Sequence, residues 1–315
     1  MDIGRVEDQV SMTVHDYDTA ALDSDGESTP YSGPDQFKDF AMNGMSRLQE
    51  DEGEYRAIKK IFLARMGNWR RVIDLVAIHK SSCSSVSGHA KLEAFRIFCQ
   101  AVATKRGGDA NVNCGWYGGS RDEICDIISF GFSRCGDFEK DVSHGVGVYL
   151  SPANSPIESF GSALRAKEDE NGVRHMLLCR VLLGNTETIR AGSEQMHPSS
   201  TEFDSGIDDP LETRKFIIWS AYMNSHILPS HIISLKFRAP YSFDNSPPKI
   251  SLEMLMVALS RSLNRSKIDL VLNHVHAGLK RPMGMGMAEL MSRLKHLVGD
   301  NELAAAVKFC KDQMM

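Results

Sequence analysis

The sequence predicts an α+β domain with a mostly antiparallel sheet and N-terminal helices, followed by a small all-α module of four helices. Apolar residues recur at helical spacing between residues 53 and 106, and short runs rich in β-branched residues follow up to residue 238. Narrow apolar stripes mark the stretch after residue 249. Helices that precede a set of strands are typical of an α+β fold, whose sheet is mainly antiparallel.

Charge and composition divide the chain of 315 residues into four parts. Residues 1–54 hold 3 Lys and Arg against 14 Asp and Glu, and the polar start of this stretch predicts a disordered acidic segment over 1–45. The run APYSFDNSPPK contains three prolines and predicts a linker over 239–248. We therefore expect a folded domain over 46–238 and a helical module over 249–315, where 10 basic residues exceed 6 acidic ones.

The composition argues against several classes of protein. No uninterrupted apolar run reaches the length of about 18 residues that a membrane-spanning helix needs, and the start MDIGRVEDQV does not have the pattern of a secretory signal peptide. The 7 cysteines include no CxxC pair, which argues against a disulfide framework, secretion and a zinc site. His274 and His276 are two residues apart on a predicted helix and point in different directions, so no metal site is expected.

Three segments near the start of the folded domain are interpreted as helices. GEYRAIKKIFLARM places Tyr55, Ile58 and Phe62 at helical spacing, and Gly67 is expected to end this helix. NWRRVIDLVAIHK is interpreted as a second helix with one apolar side. HAKLEAFRIFCQAVATKR predicts a third helix, which ends before a pair of glycines.

Short strands follow, interrupted by one helix. The predicted strands are NVNCGWYGG, GVGVYLS, RHMLLCRVLLGN, KFIIWSAY and HIISLKFR, because they are rich in β-branched and apolar residues. SRDEICDIISFGF predicts a helix with Ser120 as N-cap, Glu123 three residues later and Gly131 at its end. The polar stretch from Arg190 to Arg214 is expected to be a surface loop.

Four short helices are predicted in the C-terminal module, over about 251–263, 267–277, 287–297 and 301–312. Each has a narrow apolar stripe, so each must pack against the others. A stretch with Pro282 and several glycines separates the second helix from the third.

Five strings of the α+β domain, taken in order, resemble the catalytic domain of the poly(ADP-ribose) polymerases (PARPs), which are ADP-ribosyltransferases that use NAD. WYGGS resembles the strand that carries the His-Gly pair of that family, and ISFGF resembles the end of the next helix. GVGVY resembles the glycine-led strand with its tyrosine, LLCRVLLGN the next core strand, and KFIIW the strand with its glutamate. The resemblance implies the PARP fold for most of this domain.

The C-terminal block resembles the RST domain, a helical module shared with a basal transcription-factor subunit. A PARP-like domain followed by an RST domain is the layout of the plant SRO family (similar to radical-induced cell death one). The chain resembles a short member, in which no N-terminal WWE domain is expected. The resemblance implies a nuclear regulator in plant stress and developmental signalling, although the sequence has no clear nuclear localisation signal.

The resemblance also assigns roles to three positions. In active PARPs a histidine holds the adenosine ribose of NAD, a tyrosine stacks on nicotinamide, and a glutamate stabilises the cationic transition state. These positions fall on Tyr117, Tyr149 and Lys215, so only the tyrosine is retained. Losing one preorganised partner of a transition state costs about 3–4 kcal/mol, and a cation at the glutamate position is repulsive as well. We therefore expect no catalytic residue and no cofactor, and interpret the domain as an inactive scaffold.

Two alternatives stay open for the middle domain. Gly118, Tyr149 and Phe160 form a residual pocket that binds a nucleotide or another ligand without chemistry, even though Ile157 replaces the hydroxyl that would bind the nicotinamide amide. The other alternative is an active mono-ADP-ribosyltransferase, for which NAD would be the cosubstrate.

The basic C-terminal module is expected to bind disordered acidic-hydrophobic regions of transcription factors, as the resemblance implies for RST domains. Positive charge would attract such a segment, which would fold as a helix in an apolar groove. A packing or oligomerisation role is an alternative, and direct binding to nucleic acid or a membrane is not expected. The residues expected to contact the partner are Leu255, Leu259, Arg261, Arg265, Lys267, Leu272, Lys280, Leu294 and Lys295.

Overall fold

The structure, a computed structural model, describes residues 36–66, 70, 73–135, 144–237 and 287–312, and isolated positions between 255 and 274. In chain order its elements are α1 (Lys38–Met42), β1 (Met45–Arg47), α2 (Gly53–Arg65), β2 (Ile73–Ser81), α3 (Val86–Lys105), β3 (Val112–Gly119), α4 (Arg121–Phe130), β4 (Gly147–Pro152), α5 (Ile157–Arg165), β5 (Arg174–Leu182), β6 (Thr186–Thr188), β7 (Ser205–Ile207), β8 (Phe216–Trp219), a 3-10 turn (Ser220–Tyr222), β9 (Ile227–Phe237), α6 (Met287–Val298) and α7 (Asp300–Asp312).

The described strands form one sheet of nine strands in the order β1-β2-β9-β5-β3-β4-β8-β7-β6. Every pairing among them is antiparallel except that of β6 with β7. Strand β9 pairs over most of its length with β2 on one side and with β5 on the other, so it lies inside one half of the sheet. The predicted α+β fold with a mostly antiparallel sheet is confirmed.

Several predicted elements are found where the sequence placed them. The first predicted helix is α2, which buries Tyr55, Ile58 and Phe62; Gly67, its expected end, lies outside the described residues. The predicted helix after β3 is α4, where the Ser120 side chain accepts a hydrogen bond from the backbone N–H of Glu123. Its C-cap is Gly131, whose φ of +94° is a conformation that favours glycine.

The interpretation of NWRRVIDLVAIHK as a second helix is wrong, because this stretch from residue 73 onward belongs to strand β2. This strand pairs with β1 on one side and β9 on the other. Its run of Ile73, Val76 and Ile78 is rich in β-branched residues, which favour a strand between two neighbours. Short apolar runs have no periodicity that separates a buried strand from a helix.

The end of the predicted disordered segment, from residue 36 to residue 45, is ordered, and that part of the prediction is wrong. Phe37 and Phe40 are buried and their ring centroids lie 4.9 Å and 5.4 Å from that of His79. Two aromatic side chains bury enough apolar surface to fix this short stretch, despite its polar neighbours. Residues 1–35 and the predicted linker over 239–248 lie outside the described residues.

The two faces of the sheet are covered by different helices. On one face α2 packs beside Ile233, and the ring of Phe62 meets Trp116 edge-on at 5.2 Å between centroids. On the opposite face α4 packs beside Ile232 through Ile124. Successive residues of a strand point to opposite faces of the sheet. Ile232 and Ile233, which are neighbours on β9, therefore belong to different layers of the core.

The C-terminal prediction is confirmed in part. Its last two helices correspond to α6 and α7, which begin and end within a residue of the predicted limits. The described positions between 255 and 274 are almost all helical, but half of this stretch lies outside the described residues, so the four-helix arrangement stays a prediction. Within the described part of the chain, no helix combines the length and apolar character needed to cross a membrane.

Candidate functional site

The three positions of the PARP triad lie on or beside three neighbouring strands. Tyr117 is on β3, Tyr149 is on β4, and Lys215 directly precedes β8. Strands β3 and β4 pair only at Gly115 and Trp116, so their pairing has ended before Tyr117. The three positions that the resemblance assigns to the triad therefore lie together in the sheet, where two neighbouring strands separate.

Tyr117 makes contacts within the domain. Its hydroxyl donates a hydrogen bond to Oε1 of Glu123 at 2.7 Å. Its ring meets that of Phe132 edge-on, with 5.2 Å between the centroids. The side chain at the histidine position therefore ties β3 to α4, and its polar group is engaged with a carboxylate instead of being directed at a sugar.

Gly118 is covered by helix α5. A Cβ atom at this position would lie 2.6 Å from the backbone nitrogen of Ala163 and closer still to the carbonyl oxygen of Ser159. Phe160, on the same helix, is only 2% exposed and belongs to the hydrophobic core. Two of the three residues predicted for a residual pocket therefore face packed protein, which argues against that pocket.

Tyr149 stabilises the start of its own strand. Its hydroxyl accepts a hydrogen bond from the backbone N–H of His144 at 3.0 Å and donates one to the carbonyl oxygen of Gly145. Its ring packs against the buried cluster of Ile217 and Trp219. The one retained triad residue thus has a structural role that does not need NAD.

Lys215 is the residue predicted at the glutamate position, and the carboxylate of Asp208 binds the backbone beside it. Oδ1 of Asp208 accepts hydrogen bonds from the backbone N–H groups of Arg214 at 2.9 Å and Lys215 at 3.0 Å. The Asp208 side chain is 5% exposed and also lies 3.7 Å from the Arg214 guanidinium. This carboxylate is therefore held by the backbone that leads into β8.

The residues predicted to bind a partner fall into three groups. Leu255, Leu259 and Leu294 are fully buried in one hydrophobic cluster, which argues against their assignment as contact residues. Lys267 and Lys295 are exposed, and Lys295 forms an ion pair with Asp300 at 3.0 Å. The remaining predicted residues, which lie outside the described part of the chain, are Arg261, Arg265, Leu272 and Lys280.

Comparison with known proteins supports both halves of this organisation. The crystal structure of the PARP domain of Arabidopsis RADICAL-INDUCED CELL DEATH1 matches with a TM-score of 0.51 and 30% sequence identity, over 61% of this chain and 99% of that chain. The family model of the RCD1-SRO-TAF4 (RST) plant domain matches residues 244–312. A curated protein of Arabidopsis thaliana named probable inactive poly(ADP-ribose) polymerase SRO2 is 40% identical over 98% of this chain and 97% of its own length.

The chain belongs to the SRO family. A second relative, probable inactive poly(ADP-ribose) polymerase SRO5 of Arabidopsis thaliana, is 35% identical over 85% of each chain. The names of these relatives agree with the prediction that two of the three triad positions have changed in this chain. The interpretation as a member of a catalytically inactive PARP-like family is confirmed.

Three residues that shape this region of the SRO protein were not singled out as site residues. Glu123 was interpreted only as part of a helix cap, although it accepts the Tyr117 hydroxyl. Asp208 lies in the predicted loop, where nothing in the local sequence distinguishes it from its acidic neighbours. Ser159 is buried on α5 and its Oγ donates to the Trp116 carbonyl oxygen at 2.5 Å, a contact between distant parts of the chain that has no local signal. Among the described residues no cluster of His, Cys, Asp and Glu could hold a metal ion.

Proposed function

We propose that this SRO protein does not transfer ADP-ribose and that it acts as a regulator that binds partner proteins through its C-terminal helices. The observation that supports the first part best is Lys215 at the glutamate position. A carboxylate there would lower the energy of a developing cation, and losing such a group reduces catalysis by about 10²–10³-fold. An ammonium group adds repulsion, and the one described carboxylate that contacts the Lys215 backbone is held by its own hydrogen bonds.

The packing around β3 supports the same proposal. The histidine position is occupied by Tyr117, which is hydrogen-bonded to Glu123. Helix α5 lies directly on Gly118. Restoring a binding site for NAD would thus require movement of a helix as well as new side chains, so we propose that the chain uses no NAD cofactor.

Incubation of the purified full chain with labelled NAD tests the loss of transfer. We expect no label on the protein under conditions in which an active poly(ADP-ribose) polymerase modifies itself. Labelling that disappears in Tyr149→Phe would contradict the proposal and would support a mono-ADP-ribosyltransferase. Tyr149→Phe keeps the ring that would stack on nicotinamide, so labelling that persists in it would be tested again in Tyr149→Ala. Labelling that persists in both variants would point to a contaminating enzyme.

The exposed surface of α6 and α7 has the chemistry that an acidic-hydrophobic segment requires. Lys295 and Lys308 are exposed, and Leu297, Val307 and Phe309 are only partly buried. Apolar side chains beside basic ones can bind an amphipathic helix, and the positive charges would increase its association rate. We propose disordered acidic-hydrophobic regions of transcription factors as the partners.

Fluorescence anisotropy with a labelled synthetic peptide rich in Asp, Leu and Phe tests this surface on the full chain. We expect binding that weakens with salt and that falls by about tenfold in the double variant Lys295→Glu/Lys308→Glu, a loss of about 1.4 kcal/mol. The control is Lys167→Glu/Lys236→Glu, which makes the same charge change at exposed positions outside these helices. Absence of binding by the wild type, or equal binding by both double variants, would contradict the proposed surface.

We further propose a nuclear location and a role in plant stress and developmental signalling. Membership of the SRO family supports this proposal. The domain that matches residues 244–312 is described as a plant domain of RCD1, SRO and TAF4 proteins. A fluorescent fusion of the full chain in plant cells, imaged before and after stress, would test it, and a signal excluded from the nucleus in both states would contradict it.

A further inference from the structure

An acidic cavity of about 320 Å³ lies between α1 and α4, away from the triad positions. Its lining includes Asp39, Asp122 and Asp126, with Cys125 between the last two on α4, and no basic residue lines it. All three acidic groups are exposed, and Asp39 is paired with Arg121 at 2.9 Å.

The charge of this cavity also acts on the thiol of Cys125. Burial raises the pKa of Cys125 to about 11, and the nearby Asp39, Asp122 and Asp126 act in the same direction. Only Arg121 opposes them among the groups that act on this thiol. A net negative potential in the cavity favours a cation over an anion as its occupant.

Large apolar side chains are exposed beside the cavity. Met42 lines it and is 74% exposed, and Phe130, one turn after Asp126 on α4, is 83% exposed. Exposed apolar groups of this size next to concentrated charge are a feature of protein-binding surfaces. A suitable partner would carry basic and apolar side chains together.

Helix α2 of the same chain presents such a surface. Arg56, Lys60 and Ile61 are exposed on it, and the exposed Ala57 and Ala64 lie beside them on the same side of the helix. The small alanine side chains would allow a close approach of another protein surface. Lys60 and Arg56 are one turn apart, as are Asp122 and Asp126 on α4, so two pairs of opposite charge could meet.

These two surfaces lie on opposite faces of the sheet, since α2 packs on the Ile233 side and α4 on the Ile232 side. A cavity and its complement on opposite faces of one molecule cannot meet within that molecule. They can meet between two molecules, and the contact is then head to tail, because each copy contributes a different surface.

We propose that the basic face of α2 docks into the acidic cavity between α1 and α4 of a second copy of this chain, so that copies associate head to tail. A row of such copies has a free acidic cavity at one end and a free basic face at the other, so further copies can be added. Neither surface includes a triad residue or a residue of the C-terminal helices.

Sedimentation equilibrium of the full chain tests this association. We expect the average mass of the wild type to rise with protein concentration at low salt, and to fall towards that of a monomer at 1 M salt, where screening reaches about 3 Å. Asp122→Lys/Asp126→Lys and Arg56→Glu/Lys60→Glu should each weaken self-association by about tenfold or more, which corresponds to about 1.4 kcal/mol. All four side chains are exposed, and circular dichroism would verify that the variants fold.

A mixture of the two double variants gives the sharpest result. In the mixture, the intact basic face of one variant meets the intact acidic cavity of the other, and the two reversed surfaces are also of opposite charge. The mixture should therefore recover the concentration-dependent association of the wild type. The control Glu194→Lys/Glu212→Lys, which reverses two exposed charges outside α1 and α4, should associate like the wild type. A wild type that stays monomeric, double variants that associate like the wild type, or a mixture that does not pair would each overturn the proposal.

Discussion

Gly118→Ala is expected to destabilise the domain strongly, because the structure leaves no room for a methyl group between β3 and α5. The new Cβ would lie 2.6 Å from the Ala163 backbone nitrogen and nearer still to the Ser159 carbonyl oxygen. Non-bonded atoms of this kind are normally about 3.5–4.0 Å apart. Helix α5 would thus have to move away from β3 by about 1 Å or more.

The cost of this movement follows from what holds α5 in place. Phe160 and Ala163 are buried in the core, and forcing an extra methyl group into a packed core costs about 1–3 kcal/mol. The buried hydrogen bond from Ser159 Oγ to the Trp116 carbonyl oxygen would also lengthen, which adds about 1 kcal/mol. The free energy of unfolding should therefore fall by about 3 kcal/mol.

Urea unfolding of the full chain, followed by circular dichroism, measures this change. The matched control is Gly161→Ala on α5, where a Cβ would meet no atom within 4 Å. That substitution should stabilise the helix by about 0.5–1 kcal/mol, because alanine is the better helix former. A Gly118→Ala variant as stable as the wild type would show that α5 does not lie on β3, and an open pocket beside Gly118 would then become tenable.

Three further predictions concern buried charges and the glutamate position. Burial raises the pKa of Asp204, but hydrogen bonds from Arg106 and other donors lower it below its ordinary value. Arg106→Gln should therefore reduce the free energy of unfolding, measured with urea at pH 7, by about 3 kcal/mol, and unchanged stability would refute this. Burial lowers the pKa values of His175 and His226 from 6.5 to about 4. Their contribution to the free energy of unfolding is therefore fully present above pH 6.5 and should fall by about 3 kcal/mol per histidine as the pH drops to 4. A free energy of unfolding that does not change over this pH range would contradict the prediction. Lys215→Glu alone should not produce labelling by NAD, and any transfer by that variant would show that the lysine is the sole defect.

The strands of the central sheet could be predicted because their sequences carry the signal locally. In β5 and β9, runs of apolar and β-branched residues coincide with strands buried on both faces. The turn residues around β4 and the N-cap of α4 mark their ends in the same way. A local pattern that agrees with the final packing is sufficient for these elements.

Other elements depend on contacts between distant residues and could not be predicted. The stretch that forms β2 was assigned to a helix, because only its pairing with β1 and β9 decides its conformation. The predicted loop from Arg190 to Arg214 contains β7, which is three residues long and pairs with β8. Helix α5 includes Gly161 and has no side-chain cap, so its sequence gives little indication of a helix.

The candidate site shows the same difference, because the strands that carry its residues could be predicted but the contacts of those residues could not. The residues that resemblance to PARPs assigns to the triad, Tyr117, Tyr149 and Lys215, lie on adjacent parts of the sheet. Sequence reasoning could not reveal that Glu123 accepts the Tyr117 hydroxyl or that Asp208 binds the backbone before β8. Both acids are several residues away from the positions they affect. Glu123 could be interpreted locally as part of the cap of α4, and Asp208 is not distinguished by sequence from the acidic residues around it.

The three triad positions have also become part of what holds the domain together. Tyr117 links β3 to α4, Tyr149 fixes the entry to β4, and the backbone of Lys215 is bound by Asp208 at the entry to β8. A catalytic group must keep its polar atoms directed at substrate, whereas each of these groups makes contacts within the fold. Substituting one position would therefore disturb a structural contact without completing a catalytic site, so we expect activity to return only when several positions and the placement of α5 change together.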